Sequence, residues 1–177
     1  MTDKIIKGKT WVGGDDIFAF DIIPKKRWTL DNLNPDDLGR WAMEAVDPEF
    51  DGVENGFKNA SYTFIVAGKN FGGGGKSIEH PIMALKGAGV KVVLADSFAR
   101  YNFRNSINNG VFVLECNGLS KETQKGDELI VNLTKGEVTN TRTGAVKHFK
   151  LLPDFVIEII DNNGLLEYAK TKLNQQK

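Results

Sequence analysis

Three apolar runs constrain this chain more than any other feature: "YTFIVAG" at 62–68, "VKVVLAD" at 90–96 and "VFVLEC" at 111–116. Each is too short for a core helix and rich in β-branched or aromatic residues, so each predicts a buried strand. The segments between them carry helical signals. "PIMALKGAG" opens on Pro81, a comfortable first helical residue, and stops at Gly87 or Gly89. "SFARYNFRNSINNG" spaces Phe98, Tyr101 and Ile107 among polar residues, with Ser97 expected as its cap and Gly110 as its stop. Strand, loop, helix, strand, helix, strand over 60–116 is the pattern of parallel β–α–β packing.

On either side the signals differ. "KIIKGKTWVGG" predicts a strand entering a turn at Gly13 and Gly14, and "IFAFDIIP" is a second short apolar run stopped by Pro24. "KKRWTLDNL" is a basic loop carrying Trp28. Asn34 and Pro35 then predict a helix start, and Leu38, Trp41, Ala42 and Ala45 extend a helical stripe up to Asp47 and Pro48. "DGVENGFKNA" predicts loop. After Cys116, "GDELIVNL", "EVTNTR" and "AVKHFKLL" predict a local antiparallel meander with turns at "TKGE" and "RTGA", followed by two helical segments broken at Asn163 and Gly164. The expected architecture is one α/β domain spanning 1–177, with a mixed parallel core and an antiparallel appendage. At 177 residues the chain has material for one domain with a real core, and too little for two large ones.

Twenty-three basic and 23 acidic residues leave no net charge, so nothing global draws the chain to nucleic acid or to an anionic membrane. Any anion site has to be local. Cys116 is the single cysteine, which rules out an intramolecular disulfide and cannot by itself hold an iron–sulfur cluster. No run approaches the roughly 20 apolar residues of a membrane helix, and the N-terminus has no apolar signal core, so a cytoplasmic protein is expected.

The local site is announced by "VAGKNFGGGGKSIEHP", in which four glycines run from 72 to 75 into Lys76 and Ser77 directly after a strand. A nucleotide P-loop explains Gly75-Lys76-Ser77, but its first glycine would fall on Asn70 and its helix would begin at the lysine, not at Pro81. A plain turn explains glycine pairs, with Lys76 solvated and Ser77 capping. Four adjacent glycines carry an entropic cost that favours close approach of backbone to a ligand. A noncatalytic anion- or nucleotide-binding module using the Gly72–Ser77 loop stays open on these grounds. His80 is expected to pack or cap more than to act as a base, and Cys116 to serve as a small apolar residue.

The spaced motifs "GKNFG", Glu79-His80, "ALKGAG", "SFAR" at 97–100 and "RNSINNG" at 104–110 together resemble the small subunit of isopropylmalate isomerase (isopropylmalate dehydratase type) and, more broadly, the swivelling C-terminal domain of the aconitase superfamily. "GGDDIFAFDIIP" is similar to the same family's opening strand and loop, and the likeness covers about residues 4 to 115. The resemblance implies a swivelling β/β/α three-layer fold and the small subunit of a hydro-lyase that dehydrates or hydrates a 2-hydroxy di- or tricarboxylic acid. It further implies a larger partner subunit that holds a [4Fe–4S] cluster, none being bound by this chain, and activity only when the two subunits meet.

Residue by residue, the family loop runs glycine, small residue, glycine, serine, serine, arginine, glutamate, histidine, and "GGGGKSIEH" needs a one-residue insertion to match it. Counting back from Glu79, Ile78 takes the place of the substrate-gripping arginine, Ser77 that of the second serine, and Lys76 that of the first, usually catalytic, serine. Ser77 and Lys76 are thus the candidate catalytic pair, with either as the base. Gly74 and Gly75 are the candidate backbone donors to the substrate anion. Where the family has an acidic pair before its "IIP", this chain has Phe18 and Phe20. In the loop that follows, which selects the substrate side chain in the family, Arg27 would take a carboxylate and Trp28 would wall off an apolar group.

Overall fold

The computed structural model of the chain describes residues 3–47, 49–50, 56–74 and 78–175. In chain order it consists of β1 (Ile5–Val12), α1 (Ala19–Ile22), α2 (Pro35–Leu38), β2 (Phe64–Ala67), α3 (His80–Gly87), β3 (Val92–Ala95), α4 (Arg100–Asn108), β4 (Phe112–Glu115), α5 (Leu119–Glu122), β5 (Glu128–Asn132), β6 (Glu137–Asn140), β7 (Val146–His148), α6 (Asp154–Asp161) and α7 (Leu165–Gln175). The seven strands form one sheet in the order β4-β3-β2-β1-β5-β6-β7. β4, β3, β2 and β1 run parallel, and β1 turns the sheet over by pairing antiparallel with β5, whose meander continues through β6 and β7.

Side-chain alternation along the parallel strands feeds two separate cores, as the period of two requires. Ile65, Ala67, Val93, Ala95 and Val113 pack with Ile22, Leu38, Ile82 and Leu85, so α1, α2 and α3 cover that face. Phe64, Val66, Val92, Leu94, Phe112 and Leu114 pack on the other face with Leu129, Val131 and Val138 of the antiparallel strands and with Val156 and Ile160 of α6. The sheet therefore curls so that its antiparallel end meets its parallel end, giving the layered α/β arrangement of a swivelling domain. Gly136 and Gly144 take φ of +70° and +71° in the two meander turns, the left-handed conformation that glycine adopts without steric cost. The meander is further pinned by buried Asp127. Its carboxylate accepts from the Gln124 amide, the Asn140 side chain and, through both oxygens, Arg142, and these bonds hold its pKa well below the usual range.

Two expected elements differ. The helix opened by Asn34 does form, with the Asn34 side chain accepting from the Asp36 amide, but it stops at Leu38 and passes into one 3₁₀ turn at Gly39–Trp41. The physical cause is tertiary: the Met43 amide donates to the Ile22 carbonyl at 2.7 Å and Met43 itself sits at φ +62°, which no continuing helix allows. Ser97, expected to cap α4, instead accepts from the Asn70 amide at 2.9 Å, and α4 starts at Arg100 after an extended Ala99. The stretch "DGVENGFKNA", expected as loop, lies for its first half outside the described residues.

Candidate active site

Parallel strands end together, and the loops leaving their C-terminal ends are where an open sheet of this kind collects ligands. Here those loops are laced to one another. Beyond β1 and β2, Gly13 donates to the Val66 carbonyl, Gly68 to Gly14, Asp16 to Lys69, Gly72 to Ile17 and Ala19 to Gly73, all between 2.7 and 2.9 Å. Asp15 accepts from the Lys69 amide, and Asp16 from the Asn70 side chain, both at 2.8 Å. Beyond β3, Phe71 donates to Ser97 and Ala99 to Phe71, each at 3.0 Å. The glycine loop is thus anchored on both sides up to Gly73.

Glycine is required along this path. Gly72 sits at φ +74° and a Cβ there would lie 2.1 Å from the amide carbon of Asn102, whose side chain fills the space under the loop. Gly74 sits at φ +68° with the Phe18 ring 2.9 Å from where its Cβ would stand. So Phe18, at the first position of the family's acidic pair, acts as an apolar floor for the loop. On the far side, Asn105 donates to the Ile78 carbonyl at 3.0 Å. Asn102 and Asn105 are three apart on α4, and this helix face, of which only Asn105 falls in "RNSINNG", supports the loop, a role that sequence reasoning did not give it. Gly75, Lys76 and Ser77 lie outside the described residues.

Gly74 and Ile78, the neighbours in sequence of those three, both line a cleft of about 500 Å³. Its other walls are Phe20 from α1 and Lys25, Trp28, Thr29 and Leu30 from the segment after Pro24. The wall is almost entirely carbon, and the only charged side chain among the described lining residues is Lys25. Trp28 is the centre of a stack, with Phe20 on one side (centroids 6.4 Å apart, planes 8° apart) and His80 on the other (4.1 Å, 27°). His80 opens α3, is 4% exposed, and its Nε2 lies 2.9 Å from the Thr29 carbonyl. A carbonyl only accepts, so Nε2 carries the proton and His80 fixes both ring and backbone of the cleft wall. The helix begins at His80, with Ile78 and Glu79 not helical, unlike a phosphate loop whose helix starts on its Lys-Ser pair.

Arg27 is placed differently from Trp28. Its guanidinium meets Glu44 through both carboxylate oxygens, at 2.8 and 2.5 Å, and stacks over the Trp41 ring at 3.7 Å. The pair holds the Glu44 carboxyl below its ordinary pKa. Arg27 does not line the cleft.

Among the described residues, three buried polar atoms at this end of the molecule have no partner: Nε1 of Trp28, Nδ1 of His80 and Oδ1 of Asn102. An unpaired buried donor costs on the order of 1–3 kcal/mol. Trp28→Phe keeps the stack and deletes one such donor, so it is expected to leave the melting temperature equal to or higher than that of the parent, whereas Trp28→Ala lowers it by emptying the gap between Phe20 and His80. A loss with Trp28→Phe as large as with Trp28→Ala would show that the indole N–H has an acceptor in solution.

Among the described residues no group of three or more His, Cys, Asp or Glu side chains could hold a metal ion. Cys116 is buried, its Sγ lies 3.7 Å from the His148 carbonyl, and burial pushes its pKa up to about 11. A thiol so disposed does not fit an iron–sulfur cluster, which needs thiolates in number. Among the described residues no helix is long and apolar enough to cross a membrane.

The model of the aconitase C-terminal domain matches residues 32–119. The isopropylmalate/citramalate isomerase small subunit of Methanocaldococcus jannaschii is 40% identical over 98% of this chain and 99% of its own length. The 3-isopropylmalate dehydratase small subunit of Pyrobaculum calidifontis is 44% identical over 95% of this chain and 99% of its own. A crystal structure of 3-isopropylmalate dehydratase from Methanocaldococcus jannaschii superposes with a TM-score of 0.82, covering 98% of both chains at 32% identity.

Proposed function

The chain belongs to the family of 3-isopropylmalate dehydratase small subunits, and from that premise we propose that it closes the active site of a two-subunit hydro-lyase that removes and adds water across a 2-hydroxy di- or tricarboxylic acid. The observation that carries the reading is the position of the glycine loop: Gly74 and Ile78 both face a carbon-lined cleft at the C-terminal end of the parallel strands. A relative named for isopropylmalate and citramalate supports a substrate carrying an alkyl group of variable size, isopropylmalate-like or methyl-substituted malate-like, with a homoaconitate-like acid as a further candidate.

The [4Fe–4S] cluster that polarises the substrate hydroxyl in such chemistry is assigned to a larger partner subunit, a reading consistent with the described residues, none of which group to fit it. This chain's share is the other half of the reaction. Removing a proton next to a carboxylate builds negative charge, which positioned donors must stabilise in a site that excludes water. Ser77 Oγ takes that proton, with the Lys76 ammonium lowering the hydroxyl pKa or holding the carboxylate. The Gly74 and Gly75 amides donate to the developing anion, and Trp28 walls the substituent. Arg27, on its Glu44 anchor, shapes the loop that carries Trp28. Exposed Phe18, Phe20 and Leu30 around the cleft give a partner an apolar rim to cover. A cytoplasmic location and freedom from nucleic acid and membrane fit the neutral charge.

The test is to coexpress the chain with a cluster-bearing large subunit and screen 2-hydroxy diacids for dehydration. Turnover of an alkyl-substituted malate supports the reading. Magnesium-dependent nucleotide binding by the chain, with no dehydration by the complex, would put the anion- or nucleotide-binding module in its place.

A further inference from the structure

We propose that Lys25 is the cation that takes the distal carboxylate of the substrate, a role that sequence reasoning gave to Arg27. The inference rests on the hydro-lyase reading above and deepens it at one residue. Three observations carry it. First, Lys25 is the only charged side chain among the described residues lining the cleft, whose other side chains are aromatic or aliphatic apart from Thr29. Second, Lys25 has no ion pair or side-chain hydrogen bond among the described residues, while both of its basic neighbours are committed: Lys26 lies 3.7 Å from Glu44 and Arg27 meets Glu44 at 2.5 Å. Third, Arg27 is sandwiched between that carboxylate and the Trp41 ring, so freeing it would strand Glu44, which is only 14% exposed.

The same short 3₁₀ turn, Lys25–Arg27, therefore does two jobs with adjacent cations. Arg27 is held between Glu44 and Trp41 and fixes the turn, and Lys25 is left on the cleft side. A carboxylate entering a carbon-walled cleft loses hydration, and one mobile ammonium at the rim can meet it without first breaking a native ion pair. The class of ligand that follows is an acid with an apolar substituent: the anion on Lys25, the alkyl group against Phe20 and Trp28.

Kinetics of the assembled two-subunit enzyme test the assignment. Lys25→Met is expected to raise KM for the hydroxy diacid on the order of 10- to 100-fold with kcat retained, because a ground-state and transition-state contact is lost equally. Lys25→Arg should restore KM to within a few-fold. Arg27→Met should lower the melting temperature of the free chain, an effect that Lys25→Met lacks. Unchanged KM in Lys25→Met, with wild-type turnover normal, overturns the role of Lys25 and leaves the hydro-lyase reading standing; so does a KM effect confined to Arg27→Met. Absence of turnover in the wild-type complex on every hydroxy diacid overturns both together.

Discussion

Gly87→Ala is expected to lower the melting temperature by roughly 10 °C, corresponding to about 3 kcal/mol for a domain of this size. Gly87 closes α3 at the point where α2 crosses it, and a Cβ there would lie 1.7 Å from the Pro35 carbonyl oxygen and 2.4 Å from its carbon. The neighbour is backbone, so no side-chain rotation can relieve the clash. Alanine's better helix propensity offsets at most about 1 kcal/mol of this. From the other side, a Cβ on Gly39 would lie 2.4 Å from the Gly87 carbonyl carbon, so the two glycines form one seam. Gly39→Ala should destabilise similarly, and the double substitution by less than the sum, because one separation of the helices relieves both clashes. Opening the seam also moves α3, whose first residue, His80, holds Trp28 and Thr29. Thermal unfolding followed by circular dichroism checks the prediction, and an unchanged midpoint for Gly87→Ala would mean that α2 and α3 are not in backbone contact.

In the assembled enzyme, Ser77→Ala is expected to lower kcat by a factor on the order of 10² to 10⁴ with a small change in KM, as loss of a general base does. The reasoning is chemical: the proton next to the carboxylate needs an acceptor, and the proposed acceptor is Ser77 Oγ, with the Lys76 ammonium favouring its ionised form. Lys76→Met separates the two residues, since a binding cation chiefly raises KM when lost. Wild-type turnover by Ser77→Ala removes Ser77 as the base and moves that role to Lys76.

The parts of this fold that sequence made legible are those decided locally. β2, β3 and β4 are buried on both faces, and continuous β-branched runs say so without tertiary information. The Asn34-Pro35 helix start and the glycine turns of the meander are equally local. What escaped is decided across the chain. Nothing near Arg27 in sequence announces that Glu44 will occupy it, and nothing in "IFAFDIIP" shows that a bridge from Phe18 to Gly73 leads into a short helix that turns Phe20 toward Trp28. Ser97 had the right chemistry for a cap and was drawn 27 positions away to the amide of Asn70. His80 was read correctly as a packing residue, yet its grip on Thr29 needed the folded loop to be seen. Four consecutive glycines marked the loop, and the resemblance to the family supplied the roles expected of its residues. The cleft beside it, with Lys25 on its rim, came only from the folded chain.

If this chain completes an active site that it cannot form alone, mixing the two purified subunits will reveal it. The chain by itself should be colourless and without hydro-lyase activity, and the ultraviolet absorbance of the unsaturated acid product should appear on adding the cluster-bearing large subunit to a 2-hydroxy diacid, as closure over bound substrate excludes water. Formation of that product by this chain alone in metal-free buffer would show that the chain needs no partner for the reaction.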